Sequence, residues 1–442
     1  MGPTVDPVQS DEKLPPRTSV VVIGGGIAGT STALHLATKG VPVVLCEKGH
    51  IAGEQSSRNW GWVRKMGRDT RELPLIIESL RQWGQLNETT GAETGFRASG
   101  IMFLCENDAQ VAEREAWLEH ARQYQLDTRL IGSDEIAKLL PGATRRWKAA
   151  LYTPSDGRGE PQKAAPAIAE AARARGAQVF TQCAVRGIET KGGRVACVVT
   201  EKGRINCDSV VLAGGAWSRL FCGNLGVGLP QLKVRSSVLR TGPVQGAPET
   251  AALGHGFGYR KRLDGGYNVG NALNTHAEIV PDSFRLLFDF LPAYRVERRA
   301  LRLHLNERFL QEWRTPRRWS LSEVSPFEQV RTLDPAPIES DLAAARKHLA
   351  ETFPVFANVP MAQGWAGYID VTPDAVPVIS PVESVPGFFI ATGFSGHGFG
   401  IGPGAGRLMA ELVTGETPCV DPTPFRLSRF SDGSRPRPQV GV

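Results

Sequence analysis

Apolar positions along the chain fall into two periodicities. Ser19 to Ile23 and Val41 to Cys46 are short, mostly β-branched runs of the kind that form buried parallel strands. Between them Ala28, Thr32, Ala33 and Leu36 recur every three to four residues, which predicts a helix over 28–39 ending at Gly40, a suitable C-cap. Strand, glycine turn, helix and strand in sequence predict an α/β fold with a parallel sheet. The same signature returns in "RINCDSVVLAGGAWSRLF" (204–221), an apolar strand running into Ala213-Gly214-Gly215-Ala216-Trp217-Ser218, and in "GFFIATGFSGHGFGIGPGAGRLMAELVTGE" (387–416). "GYRKRLDGGYNVGN" (258–271) reads as a hairpin turning at Asp264-Gly265-Gly266. In the arginine-rich run 295–318, Leu301, Leu305, Phe309 and Trp313 recur every four residues, which predicts an amphipathic element with solvated arginines.

Composition narrows the classes available. A chain of 442 residues exceeds one ordinary core, so two domains are expected. The 51 basic and 45 acidic residues are mixed along the chain, which argues against a nucleic-acid surface, while the net charge of +6 suits a mildly anionic ligand. Seven scattered cysteines form no CxxC pair and no zinc-type cluster, so they read as reduced thiols in the cytoplasm, with no metal site. Residues 1–17 carry no apolar signal region and no segment offers ~18 uninterrupted apolar residues, so neither secretion nor membrane spanning is expected. Residues 1–17 and 431–442 are expected to be loose tails, and a homo-oligomer is compatible with this composition.

The first turn carries the chemistry. In Gly24-x-Gly26-x-x-Gly29, with Ile27 and Ala28 between, Gly24 permits the tight turn, Gly26 admits a pyrophosphate, and Gly29 lets the helix pack on the strand. The helix N-terminus then offers unpaired N–H groups to an anion. Glu47 closes the second strand, where an acid binds ribose hydroxyls and disfavours a 2′-phosphate. NAD and FAD both remain open on these residues alone.

Downstream, Ser56, Ser57, Arg58, Asn59 and Gly61 form a small-polar loop before a long helical run. With the turn at 213–218 and the stretch 365–416, they make the chain resemble the D-amino-acid oxidase and sarcosine oxidase superfamily of FAD enzymes. The resemblance implies a glutathione-reductase-like Rossmann FAD domain assembled from residues 18–90, 145–225 and 360–426. A mixed α+β substrate domain from 91–144 and 226–359 would be inserted into it. Cofactor contacts would come from the first turn and Glu47, from Lys48 and the 56–61 loop including Trp60, and from Val185, Ala213, Gly214 and Trp217. Gly367, Asp370, Gly393, Ser395, Gly396, His397, Gly398, Phe399 and Gly400 would supply the flavin-ring segment.

The resemblance also implies oxidation of a C–N bond, with hydride passing to flavin N5 and the imine then hydrolysing. Arg64 is the first candidate for a flavin or substrate-carboxylate contact, and His397, Asn268 and Tyr259 complete the candidate catalytic set. Three departures bear on this. Relatives that oxidise free amino acids often carry Gly-x-Arg-Pro where this chain has Gly367-Tyr368-Ile369-Asp370, so carboxylate recognition falls to Arg64, Arg260 or Arg262, or the substrate lacks that group. No cysteine lies between 222 and 419 and no histidine between 50 and 120, which favours non-covalent FAD. Asn268 stands where some relatives place an oxygen-activating lysine, which weakens an oxidase and leaves a dehydrogenase serving a quinone or carrier as the alternative to O2. The expectation is an enzyme acting on a secondary amine or an N-alkylated, cyclic or opine-like amino acid. Its rivals are a D-amino-acid oxidase or dehydrogenase acting on primary amines, and a non-catalytic flavin-binding subunit.

Overall fold

A computed structural model describes residues 2–434 and 436–439. Its organising element is a six-stranded sheet in the order Val378–Pro381, Phe388–Thr392, Ser209–Leu212, Val20–Ile23, Val43–Cys46, Gln178–Phe180. All neighbours are parallel except the edge strand Val378–Pro381. Alternate residues of each strand serve opposite layers, as period-two geometry requires. Val20, Val22, Val43 and Leu45 join the core under the helices Ile27–Thr38, Pro161–Ala174 and Gly398–Thr414. Val21, Ile23, Val44 and Cys46 face the core shared with a three-stranded antiparallel sheet, 185–206.

The helix Gly398–Thr414 explains part of the glycine richness near the C-terminus. A Cβ at Gly402 would lie 2.7 Å from Ile27, one at Gly406 2.4 Å from Ser31, and one at Gly404 2.9 Å from the Leu75 carbonyl. Three helices meet there at a separation that only glycine allows, so these residues serve helix packing rather than a ligand.

A second, ten-stranded sheet forms the other half of the molecule. Its longest pairing joins Leu232–Thr241 to Met361–Val371, antiparallel. The 258–271 hairpin forms as read, with Arg260 opposite Asn268 and Gly265 at φ +82° in the turn. Two strands depart from the expected partition: Ala149–Thr153 and Met361–Val371, placed by sequence in the nucleotide domain, both pair within this second sheet.

Two further expectations change. The run 295–318 is not one amphipathic element, because Leu301–His304 forms a strand parallel to Thr275–Glu278 and Arg308–Arg314 a separate short helix. Leu305 is 73% and Trp313 67% exposed, so the four-residue stripe faces no core. The N-terminal residues are not loose either. The Asp6 and Asp11 amides donate to the Gln162 and Val179 carbonyls at 3.0 and 2.8 Å, and Val5 and Val8 pack on the core. In the C-terminal tail the Arg437 carbonyl accepts from Arg71 at 3.1 Å, while 435 and 440–442 lie outside the described residues. No helix among the described residues is long and apolar enough to cross a membrane.

Candidate active site

One cavity of about 540 Å³ runs from the first glycine turn to the C-terminal segment and the inner face of the second sheet. At one end the helix Ile27–Thr38 opens onto it with Gly26 as N-cap and no side-chain cap. Gly24 sits at φ +108°, and a Cβ there would come within 2.4 Å of the Ala213 carbonyl oxygen. Gly29 is turned inward, where a Cβ would lie 2.0 Å from the Gly24 carbonyl oxygen. The Glu47 carboxylate is fixed by two backbone donors, Gly25 and Gly49, each at 2.7 Å, which leaves further lone pairs for a ribose. Burial lifts its carboxyl above the ordinary range.

The loop after Glu47 is shaped by its own side chains. Asn59 accepts from the Gly61 amide at 2.8 Å and donates to the Gln55 and Ser56 carbonyls, and Ser56 Oγ accepts from the Ile27 amide at 2.9 Å. Ile27, Ala28, Ser56, Asn59, Trp60 and Gly61 line the cavity. Ser57 does not, because its hydroxyl donates to the Glu54 carbonyl instead. The Trp60 ring is seated against Gly258 and Gly270, where Cβ atoms would come within 2.2 and 2.3 Å of it. Lys48 and Trp217 line the wall, but both are held by Glu54, at 2.8 and 3.0 Å, with the ammonium 4.5 Å from the indole centroid. Arg58 reaches away, to Asp334 at 2.7 Å and the Ala366 carbonyl at 2.8 Å, and acts as a strut.

Val185, Ala213 and Gly214 line the same end, and Gly367, Asp370, Gly396, Gly398 and Phe399 continue the wall. Gly393, Ser395 and Gly400 stand behind it. The Asp370 carboxylate accepts from the Gly393 amide at 2.7 Å, the Ser395 amide donates to the Asp370 carbonyl at 2.9 Å, and the Gly400 carbonyl accepts from Ser79 and Trp83. Asp370 is therefore a clip that ties the strand Met361–Val371 to the loop after Phe388–Thr392. This arrangement fits FAD: glycine backbone and a helix N-terminus capped only at Ile27 for the diphosphate, a fixed acid for the ribose, and a glycine-rich loop opening a second helix for the ring.

At the far end Arg64 lines the cavity with its guanidinium 5.3 Å from the Phe103 ring centroid, and its one hydrogen bond goes to the Met66 carbonyl. No carboxylate of a described residue lies within 4.0 Å of it. Burial, with Arg68 beside it, pulls Arg64 down to about 9. The loop that carries it is pinned by the buried Asp156, which accepts the Lys65 and Met66 amides at 2.8 and 3.2 Å. His397 Nδ1 lies 3.0 Å from a fully buried Glu72 carboxylate oxygen, 325 residues away in sequence. Burial and the Arg68 charge hold His397 down at about 4, so it is neutral, and the pairing assigns the proton to Nδ1.

Two catalytic candidates are corrected. Tyr259 is fully buried among Phe257, Tyr267 and Phe353 and does not line the cavity. Asn268 is also buried and off the cavity, accepting from Arg262 at 3.0 Å. The two point to opposite faces of the hairpin, because Tyr259 pairs with Val269 and Asn268 with Arg260: Tyr259 enters an aromatic core, whereas Asn268 turns toward the Trp60 carbonyl at 3.4 Å. Arg260 is consumed by Glu160 at 2.6 Å, and Arg262 by Asp264 and Asn268, so neither is open to a carboxylate. Glu72, Phe103 and Asp156 were not foreseen. Nothing local in the sequence marks them, because each meets the site through a contact made only by the tertiary fold.

A family profile described as FAD dependent oxidoreductase (DAO) matches residues 19–412. The chain belongs to that family. Its cofactor is accordingly FAD. Among solved structures, the L-amino acid deaminase from Proteus myxofaciens in complex with anthranilate is 36% identical, with a TM-score of 0.93 and 97% of each chain covered. The 4-methylaminobutanoate oxidase (formaldehyde-forming) of Paenarthrobacter nicotinovorans is 27% identical over 96% of this chain. The mitochondrial sarcosine dehydrogenase of Mus musculus is 26% identical over 97%. The chain spans about half the length of these two relatives, 47% and 43%.

Proposed function

We propose that this chain is an FAD-dependent oxidoreductase that oxidises the C–N bond of an amino acid, with Arg64 receiving the substrate carboxylate. The observation that carries the reading is the state of Arg64: a desolvated guanidinium on the cavity wall with one backbone partner and no carboxylate among the described residues. A ligand carboxylate would supply the fork-to-fork pairing that the protein leaves open. Ile369, which lines the cavity without a charge, then gives no reason to exclude primary amines. The similarity to an L-amino acid deaminase favours a primary α-amino acid over an N-substituted one.

Bound FAD supplies the hydride-accepting chemistry. The chain's residues position the reactants. Arg64 binds the carboxylate, and the walls of Phe103, Trp62 and Phe399 exclude water. With Nδ1–H committed to Glu72, His397 presents Nε2 to the cavity as an acceptor. A group held at about 4 stores no proton at neutral pH, so its role is to accept a hydrogen bond from the amine and orient it. Seven unpaired cysteines, six of them buried, support placing the enzyme in the cytoplasm.

The test is anaerobic addition of α-amino acids and N-methyl amino acids, of both hands, to the FAD-loaded protein while flavin absorption is followed. Bleaching with amino acids and not with the matching decarboxylated amines is expected. Flavin that stays oxidised with every compound would overturn the reading. Fast recovery in air marks O2 as the acceptor, and slow recovery a quinone or carrier.

A further inference from the structure

Glu297 closes the helix Leu287–Glu297 and lines the cavity beside Ala300 and the 271–275 turn. These two segments are fastened together by the Thr275 amide, which donates to the Ala300 carbonyl at 3.0 Å. The Glu297 carboxylate is half-buried and has no hydrogen bond and no cation within 4.0 Å among the described residues. Its neighbours Arg298 and Arg299 point into solvent. Burial alone lifts its carboxyl above the ordinary range, with no basic group offsetting the cost.

Most other charged side chains along the cavity are engaged. Glu47 and Asp370 hold backbone amides. Glu54 holds Lys48 and Arg58 holds Asp334, while Arg68 donates through Nε to the Arg64 carbonyl and lies 3.9 Å from Glu72 with its Nη1 unpartnered. Among the described residues, Arg64 with its single carbonyl and Arg68 with an unpartnered Nη1 are the underpartnered cations on the cavity wall, and Glu297 is the carboxylate there with no partner. Apolar Phe103, Val238 and Leu253 line the same space. A cation, an anion and apolar walls in one cavity match a ligand with a carboxylate, an alkyl stem and a second positive charge.

We propose that Glu297 is a specificity determinant which receives a distal ammonium or guanidinium, so that the substrates are basic amino acids. This rests on the reading of the cavity as an amino-acid site with Arg64 on the carboxylate. Neutral amino acids would leave Glu297 half-desolvated and unpaired, whereas a charge-assisted hydrogen bond to a cationic side chain satisfies it.

Two measurements test this on the FAD-loaded full chain. In the first, kcat/KM is compared for lysine, ornithine and arginine against norleucine and methionine. The wild type is expected to favour the basic set, and E297Q to lower the basic-to-neutral ratio on the order of ten- to hundred-fold. E297D retains part of the preference, and E297K shifts it toward glutamate and 2-aminoadipate. In the second, perturbation of flavin absorption gives the Kd of 5-guanidinopentanoate and of hexanoate, neither of which carries an α-amine. The guanidino acid is expected to bind the wild type more tightly, and the difference to vanish in E297Q. Equal binding of the two acids, or a ratio unchanged by E297Q, would overturn the proposal. Absence of any turnover with selective guanidino-acid binding intact would instead overturn the catalytic reading and leave Glu297's role standing.

Discussion

The two ends of the cavity differ in how completely the protein satisfies itself. At the nucleotide end, Glu47, Ser56 and Asn59 are each already tied to backbone amides, and the wall is glycine held to close tolerances. Away from that end, Arg64 has one carbonyl partner, Arg68 an unpartnered Nη1 and Glu297 no partner, while His397 is fastened through one nitrogen only. The first end is a mould whose shape is fixed before anything binds. The second is a set of charges that a ligand completes, so substitutions should disrupt shape at one end and affinity or rate at the other.

The largest effect is expected at the mould. Gly29→Val drives a side chain into the Gly24 carbonyl, 2.0 Å from the Cβ position, and should yield protein with no bound flavin, read from its visible absorption. If G29V retained full flavin, the packing argument for this turn would be wrong. At the other end, Arg64→Ala should lower kcat/KM for amino acids on the order of 100-fold, mainly through KM, while Arg64→Lys recovers part. A fall shared equally by decarboxylated amines would show that Arg64 does not read the carboxylate.

Next is a pH effect. His397 is held at about 4 in the folded protein against an ordinary value of 6.5, so the folded state binds fewer protons than the unfolded state between these values. Stability from this group is full above pH 6.5 and is lost as pH falls toward 4, by on the order of 3 kcal/mol. Asp156, lifted by burial to about 6, acts with the opposite sign over part of that range, so wild type and His397→Asn must be compared directly. The wild-type melting temperature should fall more steeply on acidification, and parallel curves would contradict the neutral His397–Glu72 pair. The smallest effect is expected away from the cavity. Tyr259 OH is buried without a partner, so Tyr259→Phe should leave kcat and KM within about twofold and stability unchanged or raised by a few tenths of a kcal/mol.

What could be read from the sequence follows the same division. The nucleotide end is built by contacts between near neighbours, such as Gly25 with Glu47 and Ile27 with Ser56, and its motif carries the spacing of its own geometry. The burial of Val20 to Ile23 as a parallel strand was visible for the same reason. The reaction end depends on contacts across 325 residues, as between Glu72 and His397, and no local pattern reports them. Tyr259 is misplaced because a hairpin announces its turn without announcing which face meets the cavity, and Asn268 because its side chain is taken up by Arg262 and the Trp60 carbonyl. Arg260 was misread because its partner, Glu160, lies 100 residues away. The stripe from Leu301 to Trp313 failed because pairing with Thr275–Glu278 overrode the four-residue period.

The central claim is that this cavity binds an amino acid by its carboxylate at Arg64 beside FAD. Anaerobic stopped-flow reduction of the bound flavin, measured across amino-acid concentration in the wild type and in R64A, tests it most directly. The account predicts saturable bleaching in the wild type, with R64A needing on the order of 100-fold more amino acid to reach the same rate. Identical concentration dependence in the two proteins would contradict it.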